Sequence, residues 1–144
     1  MRLTKVASRA ISKMQTAFIP DRNILEGVVI LHETLHSLKA QKEEGIILKL
    51  DFEKAYDRVS WGFLEEVLLT RNFSPTWIGW VMKAVQGGRV AIDINGERWD
   101  FFRSYKGLRQ GDPLSPLLFN FVGDALSAML SSTARAGDLE GVIQ

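Results

Sequence analysis

The spacing of apolar residues along this chain switches repeatedly between helical and strand-like periods, and that alternation confines it to an α+β architecture. From about Arg22 to Glu43, Leu25, Val28, Val29, His32, Leu35, His36 and Leu38 fall near one side of a helix. Gly45 ends that run, and Ile46-Ile47-Leu48-Lys49-Leu50-Asp51 reads as a short, largely buried strand. Helical spacing returns over about Ser60 to Asn72, with Ser60 as cap, and over about Thr76 to Gln86, the break marked by Ser74-Pro75. Val90, Ile92 and Ile94 then alternate, Asn95-Gly96 signals a hairpin turn, and the chain returns through Glu97 to Phe102. A last helix is expected from Pro116, capped by Ser115, to about Thr133, closed by a turn at Ala136-Gly137-Asp138. Residues 1 to 20 are loosely patterned.

The 144 residues have the size of one domain, with no repeat, low-complexity tract or linker. The net charge is +1, but Arg2, Lys5, Arg9, Lys13 and Arg22 face one acid, Asp21, and Arg103, Lys106 and Arg109 face none between them. Such local patches suit phosphates, although a solvated face is their commoner meaning. The absence of cysteine removes disulfides and thiolate metal sites and fits a reducing compartment. No stretch approaches the roughly eighteen apolar residues of a membrane span, so no membrane partner is expected. The basic N-terminus lacks the apolar core of a signal peptide.

Chemistry concentrates in two strings. In Lys49-Leu50-Asp51-Phe52-Glu53-Lys54-Ala55-Tyr56-Asp57-Arg58-Val59, an aspartate ends a strand that would fix it while its carboxylate reaches a cleft. Magnesium takes such oxygen ligands and few of them from protein. An ordinary strand-end carboxylate is the plain alternative. Glu53 and Asp57 lie four apart beside Lys54 and Arg58, which local ion pairing explains. In Gly107-Leu108-Arg109-Gln110-Gly111-Asp112-Pro113-Leu114-Ser115-Pro116, Gly111 permits close approach and Arg109 offers a planar charged fork. The same residues punctuate a helix entry, and helix starts bind phosphate well, so both readings can hold.

Together these strings resemble the nucleotide-binding half of a reverse-transcriptase palm, of the kind carried by LINE-type (non-LTR) retrotransposons. Gln15-Thr16-Ala17-Phe18-Ile19-Pro20-Asp21-Arg22-Asn23-Ile24 is similar to the fingers segment that precedes the first metal motif, and the resemblance runs from about Gln15 to Val142. It implies a partial polymerase with helices on a small, mainly antiparallel sheet, about 1–45 being fingers-like and about 46–144 palm-like. It implies RNA-templated DNA synthesis with Mg2+, an RNA template, a DNA primer, deoxynucleotide triphosphates and the remainder of the polymerase as partners. The chain is expected to be intracellular, and the resemblance implies a nuclear address. Asp51 would bind metal, and Phe52 would lend its carbonyl. Tyr56 would gate the sugar against a 2′-hydroxyl, and Arg22, Arg109, Gln110 and Gly111 would line the nucleotide site. Lys106 stands where arginine is common and Asp124 where glutamate is common, both keeping charge.

The family also carries a paired-aspartate motif, and no two aspartates are adjacent in these 144 residues. With Asp51 as the one recognised ligand, two magnesium ions would lack most of their compensating charge, so no processive polymerase activity is expected from the chain alone. A non-catalytic nucleic-acid-binding remnant is the alternative. A third reading rests on His32-Glu33-Thr34-Leu35-His36, a literal zinc-hydrolase signature on an expected helix, with Glu53, Glu65 or Glu66 as third ligand. Its stripe also holds Leu25, Val28 and Leu38, which fits core packing, and three longer ordered matches outweigh it. Core packing likewise accounts best for Trp77, Trp80, Trp99, Phe101 and Phe102, which could otherwise stack on bases.

Overall fold

The computed structural model describes residues 2–139, with side chains from Val6 onward. The side chains of Arg2 and Lys5, and the end of the resemblance at about Val142, lie outside the described residues. The elements are α1 (Arg2–Ala10), α2 (Leu25–Gln41), α3 (Trp61–Thr70), α4 (Pro75–Gln86), β1 (Asp93–Ile94), β2 (Glu97–Arg98) and α5 (Ser115–Arg135). This is an α+β fold whose described sheet is one antiparallel pair, Asp93 opposite Arg98 and Ile94 opposite Glu97. The described residues form two compact units: those up to Phe52 with those from Gly123, and those from Glu53 to Val122.

In the Glu53–Val122 unit, Ser60 caps α3 as expected, and Ser74, expected only to mark a break, caps α4. The Ser60 hydroxyl accepts the Phe63 amide, the Ser74 hydroxyl accepts the Trp77 amide, and Pro75 occupies the first turn of α4. Asn72 takes the left-handed conformation between them, at φ 59°, so α3 and α4 fold back and bury Leu64, Val67, Leu68, Ile78, Val81 and Met82. Leu117, Leu118 and Phe121 from the first part of α5 join this core. Phe73 stacks on Trp77 with centroids 4.5 Å apart and meets Phe121 edge-on at 5.4 Å.

The hairpin turns at Asn95 (φ 55°) and Gly96 (φ 86°), the positive pair such a turn requires. Beyond the two named strands, Val90 and Phe102 exchange both backbone hydrogen bonds, at 2.9 and 2.8 Å. Trp99 (64%), Phe101 (60%) and Phe102 (48%) are exposed there and Trp80 (65%) is exposed on α4, so the core role expected of these four is corrected. A two-stranded ribbon has nothing on its second face to bury Trp99, Phe101 and Phe102.

In the other unit, α1 replaces the loose pattern expected for residues 1–20. It buries Ala7, and Ile11 is buried just beyond its end. Asp124 of α5 is buried and accepts the Ser12 amide at 2.9 Å. By length and composition α5 could cross a membrane, a stretch the apolar count passed over. Asn120 and Asp124 are buried in its first part, and its last turns are exposed. Lys42, at φ 56°, ends α2 before Gly45 is reached. No residue of α2 is buried.

The largest departure is Ile46–Asp51, which forms no strand and lies exposed, Ile46 at 93% and Leu48 at 76%. A strand persists only where its amides and carbonyls find a ladder, and no described segment supplies one here.

Candidate nucleotide site

Backbone hydrogen bonds join the two motif strings. Residues 53–58 coil through successive turns, with Lys54 at φ 51° and the Arg58 amide bonded to the Lys54 carbonyl at 3.2 Å. This leaves the carbonyls of Tyr56 and Val59 directed at the second string. The Leu108 amide donates to Tyr56 and the Gly107 amide to Val59, each at 2.8 Å. Trp61 Nε1–H completes the seam by donating to the Gly107 carbonyl at 2.8 Å. Val59 and Leu108 are buried beneath it.

Gly107 is what permits this approach. Its φ is 94°, and a Cβ would stand 2.9 Å from the Asp57 carbonyl oxygen and 3.1 Å from the Asp57 Cα. Both neighbours are backbone and cannot swing away.

Past the seam, the Arg109 carbonyl anchors a tight loop. It accepts the Ser115 hydroxyl at 2.6 Å and the Asp112 amide at 3.4 Å, while Gly111 turns at φ 84°. Ser115 was expected to cap the helix. Its side chain points back to Arg109 instead, and Asp112 takes the Leu114 amide on Oδ1 at 2.8 Å. Pro113 fixes the chain between them, so the acid two residues before Leu114 reaches its amide in a closed Asx turn. Arg109, Gln110 and Gly111 themselves are exposed. The Arg109 guanidinium lies against Gly88, where any Cβ would overlap it.

Tyr56 is half-buried, its ring stacked on Phe119 with centroids 5.1 Å apart and 25° between planes. Tyr56, Arg109, Gln110 and Gly111 therefore share one unit. Asp51, Phe52 and Arg22 belong to the other, Asp51 and Phe52 both exposed. Arg22 is committed to backbone. Its two terminal nitrogens donate to the carbonyls of Ser12 (2.5 Å), Gln15 (2.6 Å), Ser8 (2.9 Å) and Ile11 (3.1 Å), clasping the end of α1. Those four bonds use every N–H of the fork except Nε–H.

Glu53 and Arg58 form an exposed ion pair at 2.6 Å, as local pairing predicts for Glu53, while no such pair forms at Asp57 among the described residues. No group of three His, Asp or Glu able to hold a metal occurs among the described residues. The oxygen donors Asp51 and Phe52 are of the type magnesium prefers, but their number does not complete a site for two ions. The same holds for zinc at His32, Glu33 and His36, which are exposed on α2 with no third ligand grouped beside them among the described residues.

Sequence reasoning missed three residues that build the site: Trp61, Asp112 and Gly107. Gly107 carried a signal, since a glycine opening a motif beside basic residues often marks a positive φ or a close approach. Trp61 reads from the sequence as packing, and its role as donor depends on a partner 46 positions away.

The model of the reverse transcriptase (RNA-dependent DNA polymerase) family matches residues 1–141. The Retrovirus-related Pol polyprotein from type-2 retrotransposable element R2DM of Drosophila melanogaster is 30% identical over 122 residues, 85% of this chain and 12% of that protein. The Transposon TX1 uncharacterized 149 kDa protein of Xenopus laevis is 28% identical over 130 residues, 90% of this chain and 10% of that protein. A Retrovirus-related Pol polyprotein from type-1 retrotransposable element R2 of Nasonia vitripennis is 29% identical over 112 residues, 78% of this chain and 11% of that protein. The chain thus spans about a tenth of the length of the curated relatives it matches.

Proposed function

The chain belongs to the reverse transcriptase (RNA-dependent DNA polymerase) family, and from that premise we propose that it is the nucleotide-pocket portion of a non-LTR retrotransposon polymerase. The observation that carries this reading is the seam between the two motif strings. Three hydrogen bonds of 2.8 Å tie Tyr56, Val59 and Trp61 to Gly107 and Leu108, so the string that follows Asp51 and the string that holds Gln110 make one piece.

In this reading the Asp51 carboxylate and Phe52 carbonyl contribute to holding magnesium, whose chemistry there is to activate a primer 3′-hydroxyl and steady the departing pyrophosphate. Further carboxylates would have to complete the set. Tyr56 discriminates sugars sterically: its ring rests on Phe119 and has little room to retreat from a 2′-hydroxyl. Arg109 and Gln110 contact triphosphate or template, and Gly111 lets a ligand come close to backbone. Arg22 holds the loop before α2 and keeps Nε–H for a phosphate.

Primer extension on an RNA template tests the reading. The chain alone is expected to add no nucleotide. Incorporation that disappears in Asp51→Asn would show a closed catalytic site and overturn the incomplete-site account. The same extension restored by the remainder of a relative's polymerase, and abolished by Asp51→Asn, would support the assignment.

A further inference from the structure

No residue of α2 is buried, and what shielding it has is one-sided. Thr34, Ser37 and Leu38 are half-buried, while His32 and His36 stand exposed on the opposite side of a helix that turns once every 3.6 residues or so. Leu25, Val28, Val29 and Leu35 flank the histidines and are exposed as well. Leu25, Val28, His32 and Leu35 recur at alternating steps of three and four, the spacing by which one helix seats along another. His32 and His36 lie one turn apart on that seam, close enough for both imidazoles to reach one ion.

We propose that α2 carries a zinc site completed by a second copy of this chain, with His32 and His36 of each helix meeting one Zn2+. Zinc in a closed site takes four ligands and accepts imidazole nitrogen readily. One helix supplies two, and no third His, Asp or Glu is grouped beside them among the described residues. Twofold pairing doubles every ligand on the seam, which brings the set to four without another residue type. Imidazoles select zinc over magnesium, which wants oxygen. The same pairing takes Leu25, Val28, Val29 and Leu35 out of water, so apolar burial and coordination favour one arrangement. Four protein ligands leave no open position for a water, so this site joins chains and does not hydrolyse.

Sedimentation velocity of the full chain, in EDTA and in Zn2+, tests the proposal. Free zinc at about ten times its dissociation constant for the paired chains should tighten pairing about tenfold, reversibly by EDTA. Titration should reach one zinc per two chains. Co2+ in place of zinc should give the strong visible absorption of a tetrahedral ion. His32→Asn and His36→Asn should each abolish all three effects, whereas Glu33→Gln should behave as the parent. All three side chains are exposed, and a matched thermal melt checks that each variant folds.

Zinc bound one per chain to a monomer would overturn the proposal, as would association indifferent to zinc. A weak, octahedral Co2+ spectrum, or zinc effects that persist in both histidine variants, would do the same. None of these results bears on the polymerase reading, because no residue of the nucleotide pocket lies on α2.

Discussion

Replacing Gly107 by alanine isolates the contact on which the seam depends. The new Cβ would meet the Asp57 oxygen at 2.9 Å, its Cα at 3.1 Å and its carbonyl carbon at 3.3 Å, all backbone. A positive φ in a residue with a Cβ costs about 1–3 kcal/mol by itself. Relief of the clash must move residue 107 away from Asp57, which stretches hydrogen bonds to Val59 and from Trp61, each worth about 0.5–1.5 kcal/mol. The total is roughly 2–6 kcal/mol, or a melting temperature lower by about 5–25 °C at this chain length. Gly111 supplies the control, because it shares a positive φ (84°) and has nothing within 4 Å of its Cβ position. Gly111→Ala should therefore show only the backbone cost, about 1–3 kcal/mol. Urea unfolding of both variants followed by circular dichroism gives the difference. Equal losses in the two would refute the argument, since close approach to Asp57 would then contribute nothing.

Arg22→Lys keeps the charge but cannot fork across four carbonyls, and should lower stability by about 2 kcal/mol in urea unfolding; a neutral effect would mean the clasp does not hold α1. Trp61→Phe keeps the ring and removes the donor to Gly107, which should cost about 1 kcal/mol and speed exchange of the Gly107 and Leu108 amides. Exchange left at the parent rate would detach Trp61 from the seam. With Ile46, Leu48 and all the apolar residues of α2 at least partly exposed, sedimentation should find the isolated chain self-associating above micromolar concentration; a monodisperse monomer would contradict that.

Local patterns made much of the fold readable. Ser60, Ser74 and Asn95-Gly96 act through neighbours within three residues, so their sequence and their geometry coincide. Features set by distant partners were hidden. Ile46–Asp51 has the composition of a buried strand, yet strand formation depends on a ladder that composition does not supply. The first helix escaped notice because, among its described side chains, the buried one is the small Ala7, with Ile11 just past its end, amid basic residues. Asp112 outcompeted Ser115 for the helix entry because Pro113 fixes the chain where the acid can reach Leu114. Of the expected site, Tyr56 and the Arg109–Gly111 loop fall in one unit, and they do so through contacts between Gly107 and residues some fifty positions earlier.

The central claim is that the two joined strings form part of a deoxynucleotide pocket. Amide hydrogen exchange of the full chain, with and without magnesium–dTTP, tests it most directly. The account predicts slowed exchange at Phe52 and across Gln110 and Gly111, reduced in Gln110→Ala. Protection absent from both strings, or confined to α2 around His32 and His36, would contradict it.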